Sequence, residues 1–227
     1  MWTPEGSPCQ RQTEVQTAGL VTALSGAAGL PTDGRPCYDD ERALGAGPSA
    51  LTYTTEPFDK DRTLAGPITA SIAVASTTRD AFLVASIQDV GPDGTATPLT
   101  AGALLARFRA NDESRTWRGS NGLMLRPYHP FTPESAEFLT PGQPARLDIE
   151  VFPTFARLAK GHRLRLTLTT NDTPHVQPAA YQLPDLLGGV YTVHRNASTT
   201  SFVNIPFVDP ATAGRVCGPI CATAPQG

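Results

Sequence analysis

Residues 145–170 read ARLDIEVFPTFARLAKGHRLRLTLTT, and they decide the fold class. From Ala145 to Val151, Leu147, Ile149 and Val151 alternate with Asp148 and Glu150. From His162 to Thr170, Leu164, Leu166 and Leu168 alternate with Arg163, Arg165 and Thr167. A period of two sends every apolar side chain to one face and every charged one to the other, the mark of a strand with one face in a core. Between these strands, Phe155–Lys160 reads as a single helical turn closed by Gly161.

The same pattern spreads outward. Pro67–Thr77 places Ile68, Ala70, Ile72 and Val74 on one face. Ala81–Val90 is apolar on both sides, as expected of a strand covered on both faces. Gly91-Pro92-Asp93-Gly94 then offers a tight turn, because Pro presets φ and Gly accepts a positive φ. Leu99–Arg109 would pair back as a hairpin. Leu51–Thr55 reads as a strand stopped by Pro57, and Val190–His194 and Ser201–Val208 close the series. Residues 110–144 are polar and Pro-rich, a long connection expected to cross between sheets with Trp117, Tyr128, Phe131 and Phe138 as anchors. About eight strands with long connections and little helix predict an all-β, two-sheet sandwich, with a closed barrel as the alternative. No repeat of 20–50 residues supports a solenoid or propeller.

Composition agrees. The chain has 227 residues, 40% hydrophobic and 17% charged, enough apolar material for one sizeable core. Its 20 Gly and 22 Pro argue against a helical bundle. A net charge of −3 leaves no basic excess to neutralise phosphates, so nucleic acid is not an expected partner. The most apolar early stretch, Thr17–Leu30, is shorter than the roughly 20 residues a membrane helix needs. The predicted organisation is a loosely structured lead-in at 1–48, the sandwich at 49–209 and a tail at 210–227, with one short strand near Leu20–Leu24. MWTPEGSPCQ has neither the charged nor the apolar part of a signal peptide, which predicts a cytosolic protein or a piece of a secreted one. Cys9, Cys37, Cys217 and Cys221 all lie in the terminal quarters. Confinement to Gly/Pro-rich ends favours disulfides, Cys9–Cys37 with Cys217–Cys221 first among three connectivities, and hence an oxidising compartment. Free thiols and metal ligation are the alternatives.

No catalytic residue is predicted. A nucleophile elbow needs G-x-S-x-G, and Gly119-Ser120-Asn121-Gly122 has the wrong spacing. His129, His162, His175 and His194 show no local pairing with a nucleophile and an orienting carboxylate. Asp89–Gly94 has two carboxylates but lacks the further acidic positions of a calcium loop, so no metal or cofactor is expected. Arg163 and Arg165 leave one face, either to solvent or to carboxylates such as Asp148 and Glu150 on a neighbouring strand.

Several segments, in order, resemble one family. They are Leu51-Thr52-Tyr53-Thr54-Thr55-Glu56-Pro57, Ala65-Gly66-Pro67, the Asp89–Gly94 turn, Gly102–Arg109, Lys160-Gly161-His162-Arg163-Leu164-Arg165-Leu166, and Thr192-Val193-His194 with Asn204-Ile205-Pro206. Over about residues 50–208 the chain is similar to the C-terminal non-catalytic domain of X-Pro dipeptidyl-peptidases and cocaine-esterase-type (CocE/NonD) serine hydrolases. The resemblance implies a jelly-roll, galactose-binding-like β-sandwich that follows an α/β-hydrolase domain. That upstream domain would hold the catalytic Ser, Asp and His, with dipeptidyl-peptidase-like or esterase activity. The expected function is accessory: packing on the catalytic domain and shaping substrate access. The four cysteines are not a general feature of the family and point to a secreted variant. The alternative is a free-standing carbohydrate- or peptide-binding module, which exposed, coplanar Trp117, Tyr128 and Phe131 would favour.

Overall fold

The computed structural model describes residues 50–170, 176, 178–196 and 199–209. Their strands are β1 (Ala50–Thr54), β2 (Arg62–Ser76), β3 (Phe82–Val90), β4 (Ala96–Leu105), β5 (Trp117–Arg118), β6 (Met124–Arg126), β7 (Ala145–Leu158), β8 (Arg163–Thr169), β9 (Tyr191–His194), β10 (Phe202–Asn204) and β11 (Phe207–Val208). One antiparallel sheet has the order β1-β8-β3-β4. In the other, β2 is the spine: β7 pairs along one edge, while β11, β10 and β9 pair in succession along the other.

The two sheets share one core. Leu64, Ile68, Ile72 and Val74 of β2 and Leu147, Ile149 and Val151 of β7 meet Leu83, Ala85 and Ile87 of β3 and Leu164 and Leu168 of β8. All face inward because each strand alternates, and the described residues are all-β, two packed antiparallel sheets, as the periodicity predicts, with a small β5–β6 ribbon beside them. The hairpin forms at the predicted place. Gly94 takes φ +86° and donates its N–H to the Gly91 carbonyl at 2.9 Å, while Asp93 accepts from the Thr95 N–H at 3.0 Å.

Two sequence expectations are corrected. Phe155–Lys160 contains no helical turn: β7 runs on to Leu158, with Phe155 opposite Ala65 and Arg157 opposite Thr63. The first half of β2 needs a partner for its backbone groups, and pairing outweighs local helix propensity. Ser201–Val208 is two short strands, separated at Ile205-Pro206; proline supplies no N–H to a ladder, but its carbonyl accepts from Ala65 N–H at 3.1 Å. The long connection runs from β4 in one sheet to β7 in the other, as expected, and lies over the outer face of β2 and β7. There Thr69 donates to the Leu125 carbonyl at 2.8 Å and Asn204 to the Met124 carbonyl at 3.0 Å. Thr69 and Ser71 are thereby buried, although both point away from the core. Pro67 is tolerated inside a central strand because the register shifts between Gly66 and Ile68, with Gly66 at φ +128°.

The lateral margins of the sandwich differ. On one side β4 lies against β7. Gly102 sits so close to the Glu150 carbonyl that an added Cβ would fall 1.9 Å from its oxygen. Thr100 donates to the Phe152 carbonyl across the same margin at 2.7 Å. On the other side, β1 and β8 stand apart from β9 and β10 and leave a cleft.

Candidate functional site

A hydrolytic site would need a hydroxyl or thiol on an imidazole that a carboxylate orients. His162 follows Gly161, whose φ of +84° turns the chain into β8, and its Nδ1 lies 2.9 and 3.0 Å from the two oxygens of Asp89. Among the described residues no hydroxyl or thiol completes this pair. The contact joins the start of β8 to the end of β3, and the backbone around Gly161 and His162 is tied to Phe58. The Gly161-His162-Arg163 motif is therefore a turn and strand start.

Ser71, His129 and Asp148 do come together, under the long connection. Their geometry is wrong for catalysis. The Ser71 hydroxyl donates to the Asp148 carboxylate at 2.5 Å, and both ring nitrogens of His129 face backbone carbonyls, Ala110 at 3.1 Å and Asp148 at 2.8 Å. Asp148 also accepts from Asn111 at 3.1 Å and from Arg146 at 3.2 Å. This network fastens the connection to the sheet. His194 has a buried Nε2 without a partner, and His175 lies outside the described residues, as do Cys9, Cys37, Cys217 and Cys221. Among the described residues no group of three His, Cys, Asp or Glu could hold a metal, and no helix is long and apolar enough to cross a membrane.

The most buried charged cluster escaped sequence reasoning. Asp80 is fully buried before β3 and accepts from the Ala81 and Arg107 N–H groups at 2.9 Å each and from Arg107 Nε at 2.5 Å. Arg107 also reaches Asp185 at 2.7 Å, and Arg79 reaches the same carboxylate at 3.3 Å. The guanidinium carbons of Arg79 and Arg107 lie 3.5 and 4.4 Å from the Phe138 ring centroid. Burial pushes the Asp80 carboxyl up, outweighing the donors that pull it down. Burial, with Asp80 nearby, likewise pushes the Tyr191 phenol up. Every oxygen of Asp80 is committed to holding the end of β4 against the start of β3. No sequence signal singles it out, since 27 positions separate it from Arg107.

The charged face of β8 does not pair with β7, as one reading had it. Arg163 donates to the Thr55 carbonyl at 2.9 Å and Arg165 to the Thr54 hydroxyl at 3.1 Å. Asp148 and Glu150 belong to the other sheet, and Glu150 takes Arg126 at 2.6 Å. The aromatics of the long connection are engaged separately. Arg126 sits 5.3 Å from the Trp117 ring, Arg115 sits 3.9 Å from that of Tyr128, and Phe131 packs on Phe108 and His129 at 5.7 and 5.6 Å.

Among the described residues, two surfaces bear on binding. Phe152 and Phe155 of β7 are 67% and 72% exposed, beside the β4 margin. The cleft at the other margin has a volume of about 390 Å³ and is lined mainly by aliphatic and aromatic side chains.

The model of the X-Pro dipeptidyl-peptidase C-terminal non-catalytic domain matches residues 2–204. A protein named as a serine esterase in Mycobacterium bovis is 28% identical over 196 residues, covering 86% of this chain and 29% of that protein. The cocaine esterase of a Rhodococcus strain is 22% identical over 186 residues, 78% of this chain and 28% of the esterase. Among solved structures, a CocE/NonD family hydrolase from Staphylococcus aureus matches with TM-score 0.58 and 18% identity, over 70% of this chain and 30% of that one. An aminopeptidase from a Thaumarchaeota archaeon matches with TM-score 0.58 and 19% identity, over 79% and 29%. The chain thus spans under a third of the length of these relatives.

Proposed function

Since the chain belongs to the family of X-Pro dipeptidyl-peptidase C-terminal non-catalytic domains, we propose that it is the accessory β-sandwich of a larger serine hydrolase. It packs on an α/β-hydrolase domain that holds the catalytic Ser, Asp and His, and it helps to wall off the substrate entrance. The observation that carries this reading is the match of residues 2–204 to a non-catalytic domain, in a chain that covers 29% of its esterase relative. Phe152 and Phe155 supply an exposed apolar pair suited to such packing. Within the same reading the sandwich is a galactose-binding-like jelly roll, and the protein works outside the cytosol with Cys9–Cys37 and Cys217–Cys221 as bridges. Mass spectrometry under non-reducing conditions checks the bridges, and four free thiols would remove them.

The functional test compares this chain with a longer polypeptide that carries the hydrolase domain. Both are assayed on p-nitrophenyl esters and X-Pro p-nitroanilides. The chain alone is expected to show no turnover, and Phe155→Asp in the longer protein to raise KM. Turnover by the chain alone that serine-directed reagents block would refute the non-catalytic assignment.

A further inference from the structure

The open margin of the sandwich carries a feature distinct from the Phe152 and Phe155 pair. The cleft between β1/β8 and β9/β10, about 390 Å³, falls within the roughly 300–1,000 Å³ of small-molecule pockets. Tyr53, Ile72, Leu166, Leu168, Val193 and Val203 line it. Two of its hydroxyls are engaged: Ser201 donates to the His194 carbonyl at 2.6 Å, and Thr55 accepts from the Leu164 N–H at 3.0 Å. Arg195 is the charged residue of the lining. It lines the cleft and is exposed, its guanidinium lies 5.1 Å from the Tyr53 ring, and among the described residues no carboxylate pairs with it. Arg107, Arg118, Arg126 and Arg157 each have an acidic partner, whereas Arg165 bonds to the Thr54 hydroxyl and Arg115 lies on the Tyr128 ring.

An apolar trough with one cation at its mouth selects its ligand on two counts. Burial of hydrocarbon favours an unbranched apolar chain. The planar guanidinium fork, half-stacked on an aromatic ring, favours a bidentate oxyanion over a hydroxyl or an amine. The volume admits on the order of ten heavy atoms at roughly 30 Å³ each. We infer that this cleft binds a medium-chain carboxylate, its alkyl chain between Leu166 and Val203 and its head on Arg195. The inference stands on the cleft itself and does not require the accessory-domain reading.

The test is calorimetric titration of the full 227-residue chain with decanoate, decylammonium and acetate, each below its aggregation threshold. Decanoate should bind, and the other two should bind at least ~10-fold more weakly, the effect expected of losing either a charge-assisted hydrogen bond or the buried chain. Arg195→Glu, at an exposed position, should weaken decanoate at least ~10-fold without shifting the melting temperature. Val203→Trp should abolish binding by filling the trough, and its melting curve shows whether it is folded. Equal uptake of decanoate and decylammonium, undiminished binding by Arg195→Glu, or no binding of decanoate would each overturn the assignment.

Discussion

The two margins of the sandwich solve one problem in opposite ways. Where β4 meets β7, glycine at 102 lets backbone touch backbone, and Thr100 bonds across the gap. Where β1 and β8 face β9 and β10, side chains of both sheets line a gap and a cleft remains. The first margin is sealed by the lack of a side chain, the second stays open. Stability should therefore concentrate at the closed margin, while the open one tolerates change and is free to bind.

Four outcomes would break or sharpen this contrast. The largest effect belongs to Asp80, which holds the strand ends near the closed margin. Asp80→Ala strips a buried guanidinium of its main partner and should cost about 3–5 kcal/mol by denaturant unfolding; a loss below about 1 kcal/mol would mean that Asp185 alone suffices. Gly102→Ala comes next, at about 3 kcal/mol, because the clash is with backbone and no rotamer relieves it. Leu166→Ala, at the half-buried open margin, should cost only about 1 kcal/mol, and a cost equal to that of Gly102→Ala would erase the distinction. The smallest effect is on pH dependence. Asp80 is raised above its ordinary value of 3.8, so its native form holds the proton to higher pH than the unfolded chain does. The stability gained by protonation is present below that ordinary value and is lost as pH rises through the folded one. Asp61, lowered by Arg157, runs the other way: its contribution is present above the ordinary value and fades as pH falls through the lowered one. Melting temperatures of wild type, Asp80→Asn and Asp61→Asn across the acid range should separate the two slopes.

What the sequence disclosed follows from range. Period-two patterning placed β7 and β8, and Gly91–Gly94 placed the hairpin, because both depend on neighbouring residues. Phe155–Lys160 misled because its strand state is imposed by Arg62–Gly66, about ninety positions earlier. The Asp80 cluster and the cleft were illegible for the same reason. Tyr53 and Arg195 are ordinary residues until the fold sets one beside the other.

The single long β2 has a consequence for how the chain is made. One of its edges is completed by β9, β10 and β11, all C-terminal to residue 190. During ribosomal synthesis, fifteen residues of mostly apolar strand must wait for more than a hundred others to emerge before their last hydrogen-bonding groups are met. Until then that edge is a template for pairing with another nascent chain. Premature termination between β8 and β9 should therefore yield aggregates and inclusion bodies rather than a trimmed, soluble sandwich.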